Sequence, residues 1–337
     1  MSFINKIKNK LPSYRASRDA TKALSEKITS LDEKMEYYFW LLSMQQQKST
    51  DISEVKKQVF LSMPKAEEPR RTYQLIMNFI LRRIKQICIE NRIDFFLDGG
   101  TLIGAIRHNG FIPWDDDIDI SMFTDQFFAL KKAIENDEFL ELAYYYNRGG
   151  EVYIKVKLKQ RECFFVDIFL REYLDIGISE VEAFTKKLKV LNKELKVMIK
   201  DTIDSQFSDL DWTFPHKNEQ LDKIVDGFWN EIKKMKIFQN NRSKFTCASP
   251  ITPEWVMNCF GAIFPYDTVL PLSSDSVEFE KVYYNVPNDY NQYLFCYYGD
   301  IWSLPKSITP LHSYELKNGE KEAKIILKEL QEKGIQL

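Results

Sequence analysis

The stretch that decides the reading is FLDGGTLIGAIRHNGFIPWDDDIDISM, Phe96 to Met122. It places Asp115, Asp116, Asp117 and Asp119 just after Pro113-Trp114, beside residues that otherwise read as core. Asp117-Ile118-Asp119-Ile120 alternates with period two, which predicts a strand over 117–122 with both carboxylates on one face and both isoleucines on the other. Carboxylates this close resist joint ionisation. A divalent cation relieves that repulsion, and magnesium characteristically takes one or two carboxylates together with substrate phosphates. Asp167 stands alone among apolar residues in Phe165-Val166-Asp167-Ile168-Phe169, a costly placement unless it is paired or metal-bound. If its strand, 163–170, lies beside 117–122, three carboxylates meet on one face. The expected centre is Asp117, Asp119 and Asp167 around Mg2+ or Mn2+, with the same residues carrying the chemistry. By parity Asp116 points away from Asp117, and Asp115 is expected in the turn after Trp114.

Gly99-Gly100 turns into a helix expected over Thr101–His108. A glycine turn at a helix start offers backbone N–H groups and a positive dipole end to an anion, and Thr101 adds a hydroxyl. The stretch is neither GxGxxG nor a P-loop. Alone it would be an ordinary strand-to-helix connection, and its weight comes from the acidic strand that follows. Arg107 is expected to hold a donor phosphate or pair with an aspartate. Lys155 and Lys157 share one strand face, so one of them is expected at the mouth of the site. His108 reads as a surface helix end and His312 as a solvated loop residue.

GGTLIGAIRHNGFIPWDDDIDI resembles the signature of the LicD/fukutin family, a likeness that extends over about residues 71–170. A weaker likeness continues at VPNDYNQYLFCYYGDIWSLP, residues 286–305. The resemblance implies a nucleotidyltransferase-like fold. It also implies metal-dependent transfer of a phosphorylated alcohol (phosphocholine-, ribitol-phosphate- or glycerol-phosphate-like) from a CDP-activated donor to a hydroxyl of a glycan or lipid-linked glycan. Asp117 and Asp119 match the family's acidic pair, Asp167 the third acidic position, and Gly99, Gly100 and Thr101 the phosphate-proximal turn. In the second block, packing and turn roles are expected for most of Asp289, Tyr290, Tyr298 and Asp300, with the tyrosines stacking a cytosine or shaping an acceptor groove. Two rivals share these residues: nucleotidyl transfer with release of pyrophosphate, and a non-catalytic coiled-coil scaffold in glycan assembly. A calcium module is disfavoured because DDDID lacks the EF-hand spacing and glycine.

The 337 residues are 44% hydrophobic, 28% charged and 14% aromatic, which describes a globular chain. A net charge of −2 gives no global field for nucleic acid. Five cysteines without a CxxC suggest reduced, buried thiols and a cytoplasmic setting. No leader or membrane-spanning run is legible, although the basic amphipathic start, residues 1–15, would suit peripheral contact with the inner membrane face. Leu24, Ile28, Leu31, Met35, Tyr38 and Leu42 form a heptad seam over 17–45, which predicts a helix that pairs with a second copy of the chain as a homo-oligomeric coiled coil or with the body of the protein. The expected organisation is an N-terminal segment and linker over 1–70, a catalytic core over 71–175, and a helical, aromatic-rich region over 176–337 that completes the site. The expected fold class is α+β, a small mixed β-sheet packed with helices.

Overall fold

A computed structural model describes residues 52–207, 215–235, 238, 244–253, 263–303 and 313–335. The basic N-terminal segment, the heptad seam and His312 lie outside the described residues. The chain divides into two compact units. One contains residues up to Met63 together with Trp302–Leu311. Its described part includes helix α1 (Ile52–Leu61), whose Phe60 ring lies 6.2 Å from that of Trp302. The other, Pro64–Ile301 with His312–Leu337, carries the sheet and all that follows.

The second unit is a mixed sheet with helices, an α+β fold. Its main path runs β1 (Phe96–Leu97), β2 (Asp119–Phe123), β5 (Phe165–Leu174), β4 (Val152–Leu158), β3 (Leu140–Tyr146). β6 (Phe245–Ala248) and β7 (Ile263–Pro265) extend it from the far half of β5. β2 and β5 are parallel, with Asp119 opposite Asp167, and the other neighbours pair antiparallel. The expected adjacency of the two acidic strands is therefore present. One sheet face carries Ile120, Met122, Val166, Ile168 and Leu170, all buried. Helix α2 (Arg70–Asn91) buries Tyr73, Ile76, Met77, Ile80, Leu81, Ile84 and Ile87, a three-and-four spacing that makes one continuous apolar stripe. Burying a leucine- or isoleucine-sized side chain contributes about 1.5–3 kcal/mol, so this stripe anchors the sheet.

Several elements differ from the sequence reading. β2 begins at Asp119 rather than residue 117, so Asp117 precedes the strand. β3, LELAYYY, has no period-two alternation because Tyr144, Tyr145 and Tyr146 are all buried. The hairpin of β8 (Ser273–Phe279) and β9 (Val282–Val286) turns on Glu280 and Lys281, both at positive φ (48° and 66°). Asn-Gly is the usual sequence marker of such a turn, and here it is missing. Of the four described cysteines, Cys88, Cys163 and Cys247 are buried, but Cys296 is exposed.

Candidate active site

The site starts from the β2–β5 register. Side chains opposite one another in neighbouring strands share a face, so Asp119 and Asp167 stand side by side. Burial raises the Asp119 carboxyl well above the usual carboxylate range, and the charges of Asp117, Asp167, Asp115 and Asp98 push the same way. Across β5 the next residue in the row is Lys155, opposite Asp167 on β4. Its Nζ lies 3.5 Å from Asp167 Oδ1 and over the Phe165 ring.

Helix α3 (Gly99–His108) begins against these carboxylates. Gly99 has φ +53°, the left-handed region that glycine adopts at little cost. A Cβ at Gly99 would collide with Asp119 Oδ2, and one at Gly100 would come within 2.9 Å of Asp115 Oδ2. The two glycines therefore let a backbone turn approach a carboxylate cluster. Asp98 caps the helix: its Oδ1 accepts from Gly99 N–H at 2.8 Å. The Gly99 amide is thus already used. Thr101 is buried, and its Oγ1 accepts from the Asp119 N–H at 2.8 Å, so the threonine also ties α3 to β2.

Asp115, Asp116 and Asp117 lie in the loop before β2, with carboxylate oxygens within 4.8 Å of one another. The parity argument that turned Asp116 away fails here, because these residues lie in an irregular loop and period two belongs to strands. α2 supports the loop from below. Gln74 Nε2 donates to the Asp115 carbonyl at 3.0 Å, and the Tyr73 hydroxyl donates to the carbonyls of Asp116 (3.3 Å) and Cys163 (2.9 Å). Tyr73 in turn packs against Gly319 of helix α8 (Ser313–Glu332), where a Cβ would strike its ring. Polar residues within an amphipathic helix stripe were the only sequence signal for Tyr73 and Gln74.

The basic candidates separate. Lys155 belongs to the carboxylate row. Lys157 is buried, bonded to Glu162 and 2.9 Å from Glu141. Burial opposes its charge, but these two carboxylates prevail and hold it above the usual lysine range. Arg107 is also buried. Its Nη1 donates to the Ile301 carbonyl at 2.7 Å, and burial lowers its pKa to about 10 against the opposing pull of Asp115 and Asp300. His108 is half-buried beside Trp114, with ring centroids 6.4 Å apart. In helix α7 (Tyr290–Tyr298), Asp289 is the N-cap and accepts from Gln292 N–H at 2.9 Å. Tyr298 is 40% exposed. Burial of its hydroxyl end raises that group well above the usual range, and the charges of Asp98, Asp119 and Asp115 add to the shift.

The donor set fits a hard divalent cation. Its atoms are carboxylate oxygens, the Asp119 charge is opposed by like neighbours that a cation would neutralise, and the glycine turn keeps the cluster clear of side-chain carbon. Among the described residues no helix is long and apolar enough to cross a membrane.

Comparison with known proteins adds family context. Residues 92–215 match the family model described as LicD/FKTN/FKRP, nucleotidyltransferase domain. The chain is similar to the lipopolysaccharide cholinephosphotransferase LicD of Haemophilus influenzae, 28% identical over 258 residues that cover 70% of this chain and 92% of that protein. An uncharacterized Rickettsia prowazekii protein is 29% identical over 143 residues, 40% of this chain and 51% of its own length. An uncharacterized Caenorhabditis elegans protein is 33% identical over 114 residues, 29% of each chain.

Proposed function

We propose, from the match of residues 92–215 to the LicD/FKTN/FKRP family model, that the protein transfers a phosphorylated alcohol from a CDP-activated donor to a hydroxyl of a cell-surface or lipid-linked glycan. The observation that carries this reading is the facing pair Asp119 and Asp167, with Asp115–Asp117 beside it and the α3 glycine turn against it. The similarity to a lipopolysaccharide cholinephosphotransferase supports a glycan acceptor and a phosphocholine-like group.

In the proposed reaction an acceptor hydroxyl oxygen attacks the donor phosphorus that bears the alcohol. A new O–P bond forms, the P–O bond to the CMP portion breaks, and CMP leaves with the bonding pair. The hydroxyl proton passes to the carboxylate of Asp117 or Asp119. Asp117, Asp119 and Asp167 would hold Mg2+ or Mn2+, with Asp115 and Asp116 near enough to join. The bound ion would offset phosphate charge and lower the pKa of the attacking hydroxyl. Lys155 would meet a donor phosphate, since it already reaches into the carboxylate row. The Gly99 N–H is engaged by Asp98, so the amide contribution of the α3 start falls to Gly100 and Thr101. Buried Lys157 and Arg107 would shape the site through the groups they hold.

The description of the matched domain as a nucleotidyltransferase favours a second reading, transfer of the nucleotide with release of pyrophosphate. Product analysis separates the two. The protein is incubated with Mg2+, a glycan acceptor and, in separate arms, CDP-choline, CDP-ribitol, CDP-glycerol or a nucleoside triphosphate, and the products are followed by phosphorus NMR. A phosphodiester on the glycan with one CMP per transfer is expected. Pyrophosphate from a nucleoside triphosphate, with intact CDP-alcohols, would overturn the first reading in favour of the second.

A further inference from the structure

Asp98 makes more bonds than a helix cap requires. Its backbone N–H donates to the Asp119 carbonyl at 3.1 Å, and its carbonyl accepts from Leu102 N–H at 2.9 Å. Its Oδ1 takes the Gly99 N–H, while its Oδ2 accepts both the Ser121 hydroxyl and, at 2.9 Å, the Tyr293 hydroxyl. One buried residue therefore joins β2 on either side of Ile120, the first turn of α3, and α7.

The α7 end of this link is buried and closely packed. Tyr293 is 0% exposed, and its ring packs against Phe96, Phe264 and Tyr297 at centroid distances of 6.2, 5.0 and 4.6 Å. The Arg171 guanidinium lies 5.3 Å from the Phe264 ring centre and 5.7 Å from that of Tyr293, and its Nη1 donates to the Tyr297 hydroxyl at 3.3 Å. Arg171 sits on β5 four residues beyond Asp167, an even separation that puts both on one sheet face. The Tyr293 hydroxyl is thus held in place from several sides, and Asp98 is what it holds.

We propose that Asp98 is a positioning residue: it locks the Gly99–Gly100 turn and β2 to one another and ties both to α7 through Tyr293. In this way α7, nearly two hundred residues downstream, sets the clearance between the glycine backbone and the carboxylates of Asp119 and Asp115. The inference rests on the active-site reading above for its functional consequence, but its structural claim stands apart from any substrate.

Three variants test it. Tyr293→Phe removes one hydroxyl and keeps the ring. Asp98→Ala removes every side-chain bond. Asp98→Asn keeps an oxygen for the Gly99 N–H and offers an NH2 to the Ser121 and Tyr293 oxygens. Hydrogen–deuterium exchange is read on peptides covering 96–104 and 117–123, with 152–158 as reference. Losing one buried hydrogen bond corresponds to about tenfold in a local equilibrium. Tyr293→Phe is expected to speed exchange by about tenfold in the two site peptides and leave the reference unchanged. Asp98→Ala is expected to exceed it, and Asp98→Asn to restore most of the protection. In parallel, Mn2+ affinity by calorimetry should weaken about fivefold in Tyr293→Phe. If Asp98→Ala does not fold, Tyr293→Phe alone decides. Unchanged exchange in both site peptides, or a uniform rise that includes the reference, overturns the proposal. Exchange that responds as expected in a protein that transfers nothing from a CDP-alcohol would overturn the proposed function and leave the positioning role in place.

Discussion

Two buried carboxylates show opposite ways of living in this fold. Glu280, at the β8–β9 turn, is 4% exposed and surrounded by cations: Arg71 grips both its oxygens at 2.9 and 2.6 Å, and Lys65 lies at 2.9 Å. Arg82 bonds its carbonyl at 2.8 Å, and the Phe111 N–H reaches Oε1 at 3.3 Å. Burial alone would raise its pKa, yet Arg71 and Lys65 hold it below the usual range. Asp119 is placed among Asp117, Asp167, Asp115 and Asp98, and its pKa moves the other way. Where a carboxylate serves as a clamp, the fold supplies its counter-charges. Where like charges crowd one carboxyl, as they do at Asp119, the arrangement suits a counter-charge that arrives from outside.

The largest expected effect breaks the Asp119 side of this contrast. Asp119→Asn should lower transfer by at least about 10²–10³-fold, the scale of losing one preorganised electrostatic group. The same change should raise the melting temperature in EDTA, because it removes a repelled charge. A variant that is both inactive and less stable in EDTA would argue that Asp119 is structural. Glu280 should behave in reverse. Glu280→Ala leaves Arg71 and Lys65 facing a vacated site and should destabilise folding by about 3 kcal/mol in urea titration, while activity per folded molecule persists.

Glu172 sharpens the comparison as a third case, a buried carboxylate with a neutral partner. It accepts from the Thr124 hydroxyl at 2.7 Å, and burial raises its pKa from 4.5 to about 7. The folded state therefore binds a proton that the unfolded chain has released. The associated stabilisation is complete below pH 4.5 and is lost as pH rises through about 7, a change of about 3 kcal/mol. Glu172→Gln should flatten that window in urea titrations run at several pH values, and an unchanged slope would contradict the assignment. The smallest effect expected is at Gly99. Gly99→Ala places a side chain at φ +53°, with a backbone cost of about 1–2 kcal/mol. Its activity loss should exceed what that instability explains, because the new Cβ meets the Asp119 carboxylate. Activity that tracks folded fraction alone would remove the glycine turn from the account.

The Asp119 side of the contrast was written plainly in the sequence, and the Glu280 side was not. Period-two alternation and a lone Asp in an apolar run were enough to expect the acidic strands side by side, and β2 and β5 pair as expected. The same reasoning overreached by two residues, because it carried strand parity into the loop of Asp115–Asp117. Glu280 gave no signal, since its partners lie about two hundred residues away and its turn uses Glu-Lys. Asp98 was not legible as a junction, because Ser121 and Tyr293 reach it only after folding. Lys155 and Lys157 look alike in sequence, yet one faces Asp167 while the other is enclosed by Glu141 and Glu162. Local pattern reports which face a residue takes, whereas its partner is set by distant chain.

The most direct test of the central claim, that the Asp119 group awaits an external cation and the phosphates it accompanies, is calorimetric titration of Mn2+ into the full chain with and without CDP, beside Asp119→Asn. The account predicts Mn2+ binding that tightens when CDP is present and is lost in the variant. A folded wild-type protein that takes up no Mn2+, or a variant that binds it equally well, would contradict it.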